Sequence, residues 1–263
     1  MPRYSTPDGV ELFYTDGGAG HPVLLLHGWT CDSHDWSWLI PVLAKRGHRV
    51  IAVDQRGHGR SGIPAGGYSP QQMAEDAAGL LRHLRVDHAL VAGHSMGTVV
   101  GSALAIAHPD LVSGLILVDP VYNRPKEMVD PVIEMVKGPD PQAAVAAVFR
   151  SAFYTENVPE WLPTWHERRV SGTPDHVVRD CFLNLYDGDD AVARADHAVA
   201  FLKARKCPRL AVYAAEEFTF IERQLALGER DEIAVVEGGH WLHQERPDEF
   251  HAIVTRWLDR NEF

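Results

Sequence analysis

Gly93-His94-Ser95-Met96-Gly97 is the segment whose residue types and spacing point most directly to chemistry. It follows the apolar run Ala89–Ala92 and opens a helical pattern over Gly97–Ala107. A strand-to-helix corner this tight forces its middle residue into strained backbone angles and holds the serine hydroxyl out at a sheet edge. The alternative, an ordinary glycine-rich turn, leaves the strand before and the helix after without a reason. A serine hydroxyl is a weak nucleophile and needs a base. Most of the 15 histidines must be structural or exposed. His240, in Glu237-Gly238-Gly239-His240-Trp241, stands apart: it follows the last apolar run and comes after the serine in chain order. His243 is the nearest rival, though it lies further into the turn. Together, Ser95 and His240 point to nucleophilic attack on a carbonyl.

The elements that must position these two residues are legible as periodicity. Val10–Tyr14 alternates between turn signals and reads as part of a hairpin. Six continuous apolar runs follow: 23–26, 50–53, 89–92, 115–118, 210–213 and 233–236. Runs of this length suit strands buried on both faces of a parallel sheet. Helical patterns lie between them, notably Gln71–Leu84, Gly97–Ala107 and Pro247–Leu258. The alternation predicts an α/β fold with a mostly parallel, doubly wound sheet.

One crossover is too long for a simple unit. Asp119 to Cys207 spans 89 residues between two predicted strands, where a whole βαβ unit needs about 30. The surplus is helix-like and aromatic, with Phe149, Phe153, Tyr154, Trp161, Trp165, Phe182 and Tyr186. It is expected to form a helical lid, residues 121–205, over the carboxyl edge of a core built from residues 1–120 and 206–263. Substrate-binding aromatics are expected at Trp29, Phe153, Tyr154, Trp161, Trp165 and Trp241.

Composition narrows the partners. Apolar residues make up 45% of 263, enough for a sizeable core. The formal charge of −11, spread along the chain, disfavours nucleic acid and anionic lipid. No run reaches the length of a membrane span, and the first residues carry no apolar leader. Cys31, Cys181 and Cys207 are few and widely spaced, which predicts reduced thiols and a cytoplasmic protein, monomer or homodimer. No metal motif or cofactor motif is present, so none is expected.

Further motifs carry a family likeness. His27-Gly28-Trp29 follows the third predicted strand, and Asp54-Gln55-Arg56-Gly57-His58-Gly59-Arg60-Ser61 follows the fourth. With the serine pentapeptide and Gly238-Gly239-His240, in this order, the chain resembles the α/β-hydrolase superfamily. The likeness is strongest to its small lid-bearing esterases, C–C hydrolases and cofactor-free perhydrolases. It implies an eight-stranded sheet with the lid inserted after strand 6. It also implies an oxyanion hole from the backbone N–H groups of Trp29 and Met96. His27 and the 54–61 loop are read as structural.

The resemblance calls for an acid to orient His240. The family most often supplies it after the strand at Leu210–Tyr213, but here the sequence reads Tyr213-Ala214-Ala215-Glu216-Glu217-Phe218, without aspartate or glycine. A second family arrangement places the acid after the preceding strand, where Asp119 stands in Leu117-Val118-Asp119-Pro120. Asp119 is preferred, with Glu217 as the alternative and Glu216 behind it. The expected function is hydrolysis of an ester or lactone of a small, largely apolar, uncharged substrate. The alternatives are a C–C bond hydrolase, a cofactor-free dioxygenase and a small-ligand receptor retaining the triad.

Overall fold

The computed structural model describes residues 2–122, 124–156, 158–188 and 191–263. Eight strands form one sheet in the order β1-β2-β4-β3-β5-β6-β7-β8. The hairpin β1 (Arg3–Ser5) and β2 (Glu11–Gly17) is antiparallel, and β2 also runs antiparallel to β4 (Arg49–Val53). All other neighbours are parallel: β3 (Pro22–Leu26), β5 (Ala89–His94), β6 (Val112–Val118), β7 (Arg209–Tyr213) and β8 (Glu232–Val235).

The apolar runs are continuous because successive side chains serve opposite faces. Leu24, Leu26, Val91, Leu115 and Leu117 bury against one face. There they meet Met73, Ala77 and Leu81 of α2 (Pro70–His83) and Val99, Val100 and Leu104 of α3 (Met96–Ala107). Val23, Leu25, Leu90, Ile116 and Val118 bury against the other face. Their partners are Leu39 and Leu43 of α1 (Leu39–Lys45) and Phe250, Val254 and Trp257 of the last long helix. Helix starts follow local chemistry: Ser69 caps α2 by accepting from the Gln72 N–H, with Pro70 in the first turn.

Among the described residues between β6 and β7 lie five helices: α4 (Lys126–Val136), α5 (Pro141–Ala152), α6 (Trp161–Gly172), α7 (Asp175–Tyr186) and α8 (Ala195–Leu202). Helix α4 packs on α5 and α7, and α5 also packs on α6. The insertion buries Val136, Val145, Phe149, Val170, Val177 and Cys181, which join the core on the α2–α3 side of the sheet, and Leu162 is buried as well. The chain closes with α9 (Phe220–Gln224), α10 (Leu242–Glu245) and α11 (Pro247–Arg260). Among the described residues, no helix is long and apolar enough to cross a membrane.

Candidate active site

Ser95 occupies the corner between β5 and α3 at φ 52°, ψ −119°. A non-glycine residue held at positive φ costs about 1–3 kcal/mol, so the surroundings must enforce it. They do so by close packing. A Cβ on Gly93 would lie 2.2 Å from the Gly97 carbonyl oxygen, and one on Gly97 would lie 2.3 Å from that of Leu26. The Ser95 N–H donates to Val118 O at 3.0 Å, tying the corner to the end of β6.

His240 follows β8 on the loop leading to α10. Its Nε2 lies 2.8 Å from Ser95 Oγ, and its Nδ1 lies 2.5 Å from Asp119 Oδ2. A carboxylate accepts, so Nδ1 carries the proton and Nε2 is free to accept from the serine hydroxyl. Asp119 stands just past β6 at φ 41°, and its other oxygen accepts from the Ala214 N–H at 3.0 Å. Burial pushes the Asp119 carboxyl up, but its bond to His240, the His240 charge and nearby Arg124 outweigh this and hold it below its ordinary value. Glu217, the alternative acid, lies exposed in a short 3₁₀ turn, while the His240 side chain bonds to Asp119 and Ser95; Glu216 pairs with Arg223. Thus the structure brings Ser95, His240 and Asp119 together and leaves both glutamates outside.

Three contacts that the sequence does not reveal hold His240 and its loop in place. His94 Nε2 donates to the His240 carbonyl at 2.8 Å. The His240 N–H donates to Phe153 O at 2.8 Å, a bond from the insertion to the loop that carries His240. Glu245 accepts from the Gly239 N–H at 2.9 Å and from Thr155 Oγ at 3.0 Å. The His94 signal was its place beside Ser95; Glu245 has only its proximity to His240.

The loop that carries Trp29 packs close to the serine. A Cβ on Gly28 would come within 3.2 Å of Ser95 Cβ, so the 27–29 loop lies against the serine. The Met96 N–H, in the first turn of α3, has no partner within its helix. His27 is structural: Nδ1 donates to Gly28 O at 2.8 Å and Nε2 accepts from the Gln55 N–H at 2.9 Å. The 54–61 loop is structural too. The Asp54 carboxylate accepts from the N–H groups of Ser33 and Arg60 and from the Arg60 guanidinium. Burial raises its pKa, but these bonds win and hold it at about 2.

A cavity of about 300 Å³ opens over Ser95 and His240. Trp29, Phe153 and Tyr154 line it, along with Val121, Val129, Phe182 and Leu185. Phe153 lies 4.6 Å from the His240 ring. Three expected aromatics require correction. Trp161 is 47% exposed and stacks on Trp38, with ring centroids 5.6 Å apart. Trp165 lies beside it, under the Arg169 guanidinium, and borders a separate cleft. The reason is helical phase. On α6, Leu162, His166 and Val170 share the buried face, which leaves Trp161 and Trp165 on another. Trp241 is fully buried behind His240, stacked on His166 at 3.9 Å, and does not line the main cavity.

Behind the serine, Asp35, His94 and His243 place one ligand atom each within 4.8 Å of the others, and all three are buried. They are the one such group among the described residues. Arg169 of α6 already neutralises Asp35 through a buried ion pair. Burial pushes His94 well below its usual range and His243 down to about 3, so both imidazoles stay neutral. A divalent ion here would leave uncompensated buried charge, which is costly. His243 packs behind the site, its ring tilted against Trp36 with centroids 5.1 Å apart, and makes no hydrogen bond to Ser95.

Comparison with known proteins agrees with this architecture. A non-heme haloperoxidase from Rhodococcus erythropolis is 43% identical over 97 residues. The match covers 37% of this chain and 35% of the relative, so it spans about a third of that protein's length. The AB hydrolase superfamily protein YisY of Bacillus subtilis (strain 168) is 26% identical, covering 96% of this chain and 97% of the relative. The solved structure of a thermophilic esterase from Thermogutta terrifontis superposes with a TM-score of 0.83 at 26% identity, covering 99% of both chains. Residues 21–247 match the family described as alpha/beta hydrolase fold, and the chain belongs to that family.

Proposed function

We propose that the protein is a serine hydrolase that cleaves an ester or lactone with a largely apolar body. The observation that carries this reading is the line Ser95 Oγ, His240 Nε2, His240 Nδ1, Asp119 Oδ2, with contacts of 2.8 and 2.5 Å, beneath an apolar cavity. His240 takes the Ser95 proton as the oxygen attacks the carbonyl carbon. Asp119 holds the imidazole in the tautomer that accepts at Nε2 and stabilises the imidazolium that forms. The amides of Trp29 and Met96 donate to the developing oxyanion, each contributing roughly 3 kcal/mol to barrier lowering. His240 then protonates the leaving alcohol. The acyl group stays on Ser95 until water, deprotonated by the same imidazole, attacks it. In a lactone the leaving alcohol remains part of the product acid.

The likeness to the thermophilic esterase supports hydrolysis as the reaction class. The test is a panel of 4-nitrophenyl esters and lactones run on wild type and Ser95→Ala, with a fluorophosphonate probe read by mass. Turnover is expected to fall by about four to six orders of magnitude in Ser95→Ala, and the adduct to sit on Ser95. Ester turnover that survives in the variant overturns the assignment.

A further inference from the structure

The cavity over Ser95 is apolar on nearly every side, yet two charged side chains line it: Asp119 and Arg124. Asp119 is accounted for by His240 and the Ala214 amide. Arg124 adds its charge to those that keep Asp119 ionised, but this leaves most of its donors unused. It precedes α4, where the insertion leaves the sheet, and its side chain is only 13% exposed. Its guanidinium stacks over the Phe218 ring, 3.9 Å from the centroid. Nη2 donates to Pro120 O at 3.2 Å. The same nitrogen is 3.6 Å from Asp119 Oδ2, too far for a hydrogen bond.

A guanidinium offers five N–H donors in a planar fork. The bonds of Arg124 use one nitrogen, and Nε and Nη1 have no protein partner among the described residues. These donors are not sealed off: they keep access to the cavity, where an acceptor on a ligand can replace water. Stacking on Phe218 fixes the plane of the fork and leaves its edge free, the geometry that a carboxylate matches with two parallel bonds.

We propose that Arg124 binds a carboxylate of the substrate, so that the ester or lactone carries one anionic end on an otherwise apolar body. This rests on the serine hydrolase reading above and departs from the uncharged substrate that the aromatic composition of the insertion suggests. The apolar wall receives the hydrocarbon part, Ser95 the acyl carbon, and Arg124 the carboxylate, which acts as an orienting group and does not react.

The experiment compares 4-nitrophenyl hexanoate, mono-4-nitrophenyl adipate and 4-carboxyphenyl hexanoate on wild type, Arg124→Met and Arg124→Lys. The two acids place the carboxylate on the acyl and leaving sides. Fluorophosphonate labelling of Ser95 in each variant reports a folded site. The reading is the kcat/KM ratio of each acid to the neutral ester, which cancels differences in leaving group between enzymes. In Arg124→Met that ratio is expected to fall by roughly tenfold or more for one of the two acids, mainly through KM. Arg124→Lys is expected to fall between, because it keeps the charge and loses the fork. Equal losses on neutral and charged esters would assign Arg124 to Asp119 or to packing and overturn the proposal, as would no loss on any ester. Failure of wild type to cleave the neutral ester, or its cleavage without Ser95, would instead overturn the serine hydrolase reading.

Discussion

The sheet rim and the helical insertion meet across one cavity, and they are built on opposite principles. On the rim, position is set by backbone. Ser95 sits at positive φ because Gly93 and Gly97 leave no room for a Cβ, and Asp119 at φ 41° bonds through backbone to β7. On the insertion side, position is set by side-chain packing: Trp29 of the rim donates to Val178 O and lies between Phe149 and Phe182. The two regions are joined by a few polar ties, chiefly Phe153 O to the His240 amide and Arg169 to Asp35. The difference suggests that reactivity resides in the rim and substrate choice in the insertion, with the ties keeping the two in register.

The sharpest way to break this division is at the acid. Asp119→Asn should cut kcat by roughly four orders of magnitude, because an amide favours the wrong tautomer of His240. Glu217→Gln, on an exposed turn, should change it by less than about twofold. Steady-state kinetics on one activated ester decides it. A large loss in Glu217→Gln would mean that the contact of 2.5 Å between His240 and Asp119 is not the working one.

The next largest effect tests the ties. Arg169 and Asp35 are both buried, and removing one partner strands the other charge. Arg169→Met is expected to lower stability by about 3–5 kcal/mol in urea denaturation. Adding Asp35→Asn should recover part of that loss, since no charge is then left buried. If the double variant is as unstable as the sum of the singles, the two residues act separately and the tie is not one.

What was legible in the sequence follows the same divide. The rim strands announce themselves because a parallel strand is apolar on both faces, and β3, β5 and β6 are buried at every residue but Pro22 and Ser113. Ser95 and His240 were legible because backbone geometry demands glycines beside them. Asp119 could be found only from its place after β6, and Glu217 competed with it because strand ends alone do not show which carboxylate turns inward. In the insertion, aromatic content was visible but helical phase was not. Trp161 and Trp165 look like Phe149 and Phe182 in composition, and only packing shows that α6 turns the tryptophans away. Arg124 and Glu245 carry no motif, since each matters only through what folding sets beside it.

Acid should loosen the two regions before it touches the rim carboxylates. Burial depresses His58 and His243 to about 3 and His166 to about 4, against 6.5. A depressed histidine favours folding above its unfolded value and loses that contribution as pH falls toward the folded one. The window therefore runs from about 6.5 down to about 3. Between pH 7 and pH 5 each of these histidines should withdraw up to about 2 kcal/mol. Asp54, held at about 2 against 3.8, is lost only below about 3.8, so the two sets separate on the pH axis. Urea midpoints that are equal at pH 7 and pH 5 would show that these imidazoles are not buried neutral.

The smallest effect is also the cleanest test of helical phase. Trp161 is half out of solvent, resting on Trp38 and Trp165, and faces away from the cavity. Trp161→Ala should leave kcat/KM within about twofold and stability within about 1 kcal/mol. Phe182→Ala lies on the other side of that division. It removes a buried ring 4.8 Å from Trp29 that lines the cavity. It should raise KM for apolar esters and destabilise by about 3 kcal/mol. The two aromatics belong to one insertion and differ in which way their helix turns. A KM that moves with Trp161 and not with Phe182 would place the substrate on the outer face and invert the roles assigned to the two sides of the insertion.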